Sequence, residues 1–468
     1  MANTKTGKRT RVGRVTIYEH HGAWYTYHRQ DGKVNRRRIG SNQAQAECVA
    51  SLINAKLSAQ GAGLALDEIL PTVLPDASRA TGTLADSAGP SIAVHELREQ
   101  FLNHHEHVLG SAISTVTRYT SATKHLISFS KAEGFNLSND LSIPLFVQYL
   151  RSIEVAPNGH ANTLRRKLRD KGIKYILETC RSMYHFGLRQ RIVAANPFSD
   201  FGIGKLRVRD AKPIFVFNAA QELSFLKTAD LWGFTVHLML AKTGLRPGEL
   251  VHTLIEDVDF DDGWLHVRSK SELGWSVKTG RDRRIPLVPE LIGLLQRVVG
   301  DRQKGVLLLR SRIAESGGVK IACDRVELAK VVEQRVEASR VESVMPLSRA
   351  QIANIHRKVW RDAGAIPVDR VRTSFVRIAK RSGLNVTAPK SWRHTFATLL
   401  QEANVDLLVR QETLGHQPAS PDAGVLGMTG TYTHTQPEIQ RREIEREVCL
   451  RPQSLALIHQ KLQEKTYA

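Results

Sequence analysis

Residues 390–400 read KSWRHTFATLL and residues 243–250 read TGLRPGEL. The first stretch places Lys390 and Arg393 three apart, on one face of a helix. His394 falls on a different face, near an aromatic and apolar strip, and reads as a buried, hydrogen-bonded structural histidine. The second stretch closes an apolar segment, Leu231 to Lys242, that reads as a buried helix. Gly244 permits a turn there and Pro247 suits the first position of a new helix. Arg246 is thereby presented at a helix junction, beside backbone N–H groups that favour an anion. Downstream, Leu414-Gly415-His416 has the form of a helix C-terminus ending at Gly415, with His416 just past it. Tyr432, in MTGTYTHT, follows glycines at 424, 427 and 430. Lys278, in VKTGRDRRIPL, belongs to an expected β-hairpin, where Lys270 is a competing candidate.

Five of the six residues Arg246, Lys278, Lys390, Arg393, His416 and Tyr432 are cationic or can become so; the sixth is a phenol. That set suits attack on a phosphodiester. A phosphoryl group in transfer gathers negative charge on its oxygens, and two planar guanidinium forks can hold those oxygens bidentately. A tyrosine can serve as the nucleophile. Each residue alone has an ordinary reading: an arginine in a surface turn, an exposed hairpin lysine, a structural tyrosine. Their order and company give the set its meaning.

The 468-residue chain is long enough for several domains with at least one sizeable core. Its 67 Lys and Arg stand against 46 Asp and Glu, a formal net charge of +21, which favours a polyanionic partner. The four cysteines, at 48, 180, 323 and 449, form no CxxC pair, which fits a reducing compartment and argues against a disulfide framework or a zinc knuckle. The basic N-terminus has no apolar run behind it, and the longest apolar stretch is too short to span a bilayer. A soluble, cytoplasmic, nucleoid-associated protein is expected, with no membrane contact.

Residues 1–14 carry five cations and no acid, and read as a segment that stays mobile until it meets phosphate. Three short antiparallel strands are expected next, with turns at His21-Gly22 and Asp31-Gly32, then a helix over Ala44 to Leu57. The basic run Arg36-Arg37-Arg38, interleaved with aromatics, points to DNA contact; a solvated basic edge is the plainer alternative. PDASRATGTLADSAGPS, 75–91, is the clearest linker. Residues 92–201 have helical periodicity throughout, including one long basic helix from about Thr163, and end at Asn196-Pro197. His104, His105 and His107 lack the i, i+4 spacing of a helical metal site and read as a solvated face. Beyond Pro213 a capped helix is expected over Asn218 to Leu226. Strands follow at Trp264–Val267, Trp275–Lys278 and Arg284–Leu287, and then a helix at Glu290–Val299. VELAKVVEQRVEASRVESV reads as a charged helix in an insertion between about 310 and 385. No glycine-rich phosphate loop of the nucleotide-binding type occurs.

TGLRPGEL, a hairpin lysine, RHTFAT, LGH and a tyrosine in TYTHT, in that order, resemble the tyrosine recombinase (phage integrase) family, of the lambda-integrase type. The resemblance implies a multidomain fold: a small α+β N-terminal arm-type module (1–60), a linker (61–91), an all-α core-binding helical domain (92–201), a mainly α catalytic domain with a small antiparallel β-sheet (213–440), and a C-terminal tail helix (441–468). It implies that Arg246 and Arg393 bind the scissile phosphate, Lys278 is general acid for the departing 5′ hydroxyl, His416 hydrogen-bonds a non-bridging oxygen or positions it, and Tyr432 forms a 3′-phosphotyrosyl bond. Neither metal nor other cofactor is implied. The implied partners are double-stranded DNA with core-type and arm-type sites, a homotetramer on DNA whose tails dock on neighbouring protomers, and accessory DNA-bending proteins.

Two departures stand out. The family usually has histidine where this chain has Lys390, whose role as proton carrier or third phosphate clamp stays open. His416 and Tyr432 are 16 positions apart, longer than the family's usual interval. Competing functions are a type IB-like topoisomerase, a chromosome- or plasmid-resolving recombinase of the same family, a DNA-binding protein with a dead site, and a penicillin-binding-type acyltransferase. The last rests on Lys-Thr-Gly at 242–244 and 278–280 with Ser121 and Lys124 in S-x-x-K, and it lacks the Ser-Asp-Asn element.

Overall fold

The computed structural model describes residues 9–20, 22–30, 33–40, 43–61, 90–156, 163–209, 213–316, 318–343, 345–416, 435–448 and 450–463. These fall into two compact units, 1–87 and 88–468.

The first unit is an antiparallel meander, β1 (Arg9–Val12), β2 (Val15–His20), β3 (Ala23–Gln30) and β4 (Lys33–Gly40), backed by helix α1 (Gln43–Gly61). There are four strands where three were expected, because residues 9–12 pair with β2 instead of remaining an arm. The turn that makes this possible is Gly13-Arg14. Gly13 has φ +57, and a Cβ there would collide with the Asn54 side chain, whose Oδ1 accepts the Arg14 N–H at 2.8 Å. Val15, Ile17, Trp24, Ala46, Ala50 and Leu57 form the core of this unit. Arg36, Arg37 and Arg38 are all exposed on β4, and the Arg36 guanidinium lies 4.9 Å from the Tyr18 ring centroid. The unit therefore keeps its apolar face for α1 and its cations for solvent.

In the second unit, α2 (Val94–Asn103), α3 (Ile113–Glu133), α4 (Ile143–Ser152) and α5 (Asp170–Arg189) close around Leu97, Phe101, Leu126, Phe129, Phe146 and Leu177. The expected long helix from Thr163 is corrected here: α5 begins only at Asp170, and β6 (Arg166–Lys167) pairs in extended form with β5 (Glu154–Val155). Arg165, Arg166, Lys167 and Arg169 would crowd like charge at the positive end of a helix, whereas Asp170 complements it. The histidine run forms a turn of π-helix, His104–Val108, with His105 packed edge-on to Phe101 and Tyr119 and its Nδ1 3.0 Å from Ser111 Oγ. It is thus partly packed rather than a purely solvated face.

A second, larger core follows. Helix α6 (Ala219–Thr228) starts in a capping box in which Asn218 and Gln221 exchange hydrogen bonds. Helix α7 (Leu231–Thr243) is buried on nearly every side, as its mostly apolar sequence requires, with Lys242 paired to Glu222. Helix α14 (Lys390–Glu402) packs along α7, and Trp392 stacks on Phe217 with ring centroids 3.9 Å apart. Between them lie the short helix α8 (Pro247–Val251) and an antiparallel sheet of β7 (Val258–Asp259), β8 (Trp264–Val267) and β9 (Arg283–Pro286), with α9 (Pro289–Val299) after it. The expected strand at Trp275–Lys278 is absent. Trp275 makes a single bridge with Lys270, and the chain turns at 277–280, because Lys270 is drawn inward to Asp257.

The stretch read as an insertion forms α10 (Ser311–Ser316), α11 (Arg325–Glu342) and α12 (Arg349–Asp362), with a small core of its own around Leu328, Val332, Val359 and Trp360. Arg349, at the start of α12, donates to the Glu106 carbonyl at 2.6 Å and the Gly110 carbonyl at 3.2 Å, joining the insertion to the helical block. Helix α13 (Val368–Arg381) leads to α14, and α15 (Leu407–Leu414) follows it. No helix among the described residues is long and apolar enough to cross a membrane.

The C-terminal helices, α16 (Pro437–Val448) and α17 (Pro452–Gln463), pack on this chain's own core through Ile444, Val448, Leu455, Leu457 and Ile458. The anchor is a buried polar cluster. Glu222 receives Lys242 at 3.0 Å, Arg451 at 2.6 Å and the Ser454 hydroxyl at 2.7 Å, so two tail residues satisfy a carboxylate that burial would otherwise penalise. Glu447, on α16, is only 1% exposed, and neither of its carboxylate oxygens has a hydrogen-bond partner among the described residues.

Burial pushes the Glu447 carboxyl from the ordinary 4.5 up to about 8, a shift that nearby Glu222 adds to and Lys242 opposes. The folded state thus keeps a proton that the unfolded chain loses above 4.5. The stability linked to it is complete below 4.5 and is lost as the pH rises through about 8. Glu447→Gln should match the wild type in thermal melts near about pH 4.5 and melt higher above about pH 8. A melting difference that does not grow with pH would refute this.

Candidate active site

Three segments far apart in sequence build one cationic site. Gly244 ends α7 in the left-handed conformation, φ +62, and a Cβ there would strike the Phe396 ring. The chain then turns so that Arg246 caps α8, with Pro247 as its first residue, as the sequence implies. The backbone N–H expected to await an anion is already taken. Glu249 Oε2 accepts the Arg246 N–H at 2.8 Å, and Oε1 accepts Arg246 Nη1 at 2.7 Å.

Arg393 rises from the first turn of α14. Its Nη1 donates to the Gly244 carbonyl at 2.7 Å, and its Nη2 donates to the Leu414 carbonyl at the end of α15. The same Nη2 lies 3.1 Å from His416 Nε2. Gly415, φ +62, ends α15, and the His416 N–H closes back on the Gln411 carbonyl at 3.0 Å. Burial, then Arg393, Arg246 and Arg283, hold His416 below the ordinary imidazole value, so the ring is neutral at pH 7. An arginine only donates, so His416 Nε2 accepts and the ring hydrogen sits on Nδ1, the nitrogen left to donate. Burial and the neighbouring charge of Arg246 lower Arg393 to about 10, still fully charged at pH 7.

Two residues absent from the sequence-derived set belong here. Glu249 is buried and serves as a carboxylate between Arg246 and Arg283. Burial pushes it up, but hydrogen bonding and charge from Arg283, with further hydrogen bonds from Arg246, hold it below the ordinary glutamate value. Arg283 donates to Glu249 Oε2 at 2.7 Å and Oε1 at 3.2 Å, and through Nε to the Thr413 carbonyl at 2.9 Å. The signals existed. Glu249 stands three after Arg246, a helix-start spacing, and strand alternation puts Arg283 on the side of buried Ile285 while Arg284 stacks 4.6 Å over Trp264.

Of the six expected residues, Arg246, Arg393 and His416 come together. Lys390 is exposed at the first position of α14, one turn before His394. His394 is half-buried rather than buried, and burial followed by Lys390 and Arg393 lowers its pKa. Tyr432 lies outside the described residues. Lys278 is exposed in the turn between buried Val277 and β9. Its rival Lys270 is 1% exposed and locked to Asp257 at 2.7 Å, 5.5 Å from the Trp275 ring. The loop is held from beneath by the insertion. Arg325 Nη2 donates to the Ser269 carbonyl at 3.0 Å, and the Trp360 indole donates to the Leu273 carbonyl at 3.0 Å. No group of three or more metal-ligating side chains occurs among the described residues.

The two lysines should part company under mutation. Lys270→Ala removes the buried ammonium from Asp257, which keeps Arg268 and the Leu254 N–H, and should cost about 2 kcal/mol in chemical denaturation. Lys278→Ala should stay within about 0.5 kcal/mol of wild type. Equal effects would contradict the assignment of Lys270 to the core and Lys278 to the surface.

Residues 216–438 match the family model described as "Phage integrase family". Among curated proteins, the chain is 26% identical over 209 residues to the tyrosine recombinase XerA of Pyrococcus furiosus, covering 45% of this chain and 52% of that protein. It is 26% identical over 279 residues to the tyrosine recombinase XerC of Oceanobacillus iheyensis, covering 58% of this chain and 72% of that protein. The chain thus spans about half the length of the first of these relatives. Among solved structures, a lambda integrase dimer bound to a COC′ core site aligns over 91% of this chain and 95% of that one, at 15% identity and a TM-score of 0.46.

Proposed function

We propose that the protein is a site-specific DNA recombinase, an integrase, working through a 3′-phosphotyrosyl intermediate, a reading supported by the match of residues 216–438 to the phage integrase family model and the similarity to tyrosine recombinases. The observation that carries this reading is the convergence of Arg246, Arg393 and neutral His416 at one point on a chain of net charge +21. A single phosphodiester can lie against all three, with guanidinium N–H groups and the imidazole directed at its non-bridging oxygens.

In the proposed reaction the Tyr432 oxygen attacks phosphorus, forming the O–P bond as the bond to the 5′ oxygen breaks, and the phenol proton is released to solvent. Lys278, on its exposed turn, supplies the proton to that leaving oxygen. Arg246 and Arg393 carry their charge permanently, so they meet the developing negative charge without reorganisation. His416 adds a donor through Nδ1. Lys390, exposed at the mouth of α14, acts as a third phosphate clamp. One phosphoester replaces another, so the reverse attack by a free 5′ hydroxyl rejoins strands with no external energy source. The cation-bearing strand β4 is proposed to contact flanking arm-type sites, which favours an integrase over a resolving recombinase. The active assembly is proposed to be a homotetramer on DNA.

Duplexes tiled across the DNA flanking the gene provide the substrate. Tyr432→Phe should retain binding in mobility-shift assays and give no covalent protein–DNA adduct; an adduct formed by that variant sinks the proposal. Arg246→Ala should cut the cleavage rate about 10²–10³-fold while DNA affinity changes less than about tenfold. A loss confined to affinity would place Arg246 outside the reacting centre. Relaxation of supercoiled plasmid lacking any of these sequences would instead indicate a topoisomerase.

A further inference from the structure

Arg283 lies on β9, five residues after Lys278, and its side chain is 6% exposed. It makes three contacts that no other described side chain combines. Its two terminal nitrogens bracket the Glu249 carboxylate at 2.7 and 3.2 Å, and its Nε donates to the Thr413 carbonyl at 2.9 Å. Thr413 and Leu414 supply successive carbonyls at the end of α15, where the helix leaves them without internal partners. Arg283 takes the first and Arg393 the second. The His416 turn rests on the same guanidinium: a Cβ on Gly415 would come 3.1 Å from Arg283 Cδ and Nη1.

We infer that Arg283 is a positioning residue for phosphoryl transfer, a strut that fixes the Arg246–Glu249 pair and the His416 turn to the strand following the Lys278 loop, and that keeps Glu249 from neutralising Arg246. The inference rests on the reading of this site as a phosphate-binding centre.

The charge argument is direct. Glu249 is the one carboxylate hydrogen-bonded to Arg246 among the described residues, and with a single cationic partner it would compete with phosphate for that guanidinium. Sharing it with Arg283 leaves the cluster of Arg246, Arg283, Arg393 and Glu249 with a net surplus of positive charge. The spatial argument is independent. Arg283 reaches both the α8 junction and the α15 terminus, so the distance between Arg246 and His416 is set partly by one rigid, planar side chain. Its charge also contributes to keeping His416 neutral.

The test uses the full chain, inorganic phosphate as probe, and histidine-selective NMR with His416 assigned through His416→Gln. Arg283→Met should weaken phosphate binding by about tenfold or more and move the His416 titration upward. Arg283→Lys keeps the charge but cannot hold Glu249 and Thr413 together; it should leave the His416 titration near wild type and still weaken phosphate. Should Arg283→Met fold poorly, Arg283→Met/Glu249→Gln removes the unbalanced carboxylate and should recover both folding and part of the phosphate affinity. Unchanged phosphate binding and an unmoved His416 titration in Arg283→Met overturn the inference. A double variant that binds phosphate no better than Arg283→Met overturns its charge component. If both readouts move as expected while the wild-type chain forms no DNA adduct, the positioning role stands and the recombinase reading falls.

Discussion

Like charges must be held together around Arg246, Arg283 and Arg393, and that constraint governs the candidate site. At about 5 Å and an effective dielectric of about 20, each pair of guanidinium groups repels by about 3 kcal/mol. The fold offsets this with oxygen. Glu249 lies between Arg246 and Arg283, while the carbonyls of Gly244, Thr413 and Leu414 receive Arg393 and Arg283. Those carbonyls lie at the C-terminal ends of α7 and α15, where the helix dipole is negative. The site is therefore assembled from helix ends, and the two glycines that end those helices make room for close neighbours, Gly244 for the Phe396 ring and Gly415 for Arg283.

This arrangement explains why α7 is buried on all sides. Its C-terminus delivers Gly244 and Arg246, so its position must not drift, and packing along α14 fixes it. Lys242, one turn from the site, is paired with Glu222, which also holds Arg451 and Ser454 of the C-terminal helices. The tail is thus bonded within its own chain to the helix that carries the site. Gln440 adds a second tie, reaching the Arg284 carbonyl and the Thr413 hydroxyl, both at 3.1 Å. The insertion has a comparable supporting role. Arg325 and Trp360 hold the loop that ends at Lys278, and Arg349 links the same insertion to the helical block.

Local chemistry was legible in the sequence wherever neighbours along the chain decide the outcome. The capping box at Asn218 and Gln221, the helix restart at Pro247, the three-residue spacing of Lys390 and Arg393, and the helix end at Gly415 follow from rules spanning four or five residues. The ordered cationic motifs likewise carried the resemblance to the family and the expectation of phosphoryl transfer. What only the tertiary structure decided involves a choice among equivalent residues or a competition with a distant partner. Strand alternation separates Arg283 from Arg284, but that Arg283 pairs with Glu249, 34 positions away, is decided only by the fold. Lys270 and Lys278 differ because Asp257 buries the first. Residues 9–12 became a strand because β2 offered an open edge, residues 166–167 became extended because Glu154–Val155 paired with them, and the tail folded back because Glu222 needed donors. A helix cap is satisfied within one turn of chain, whereas a buried charge is satisfied only by whatever the fold brings beside it.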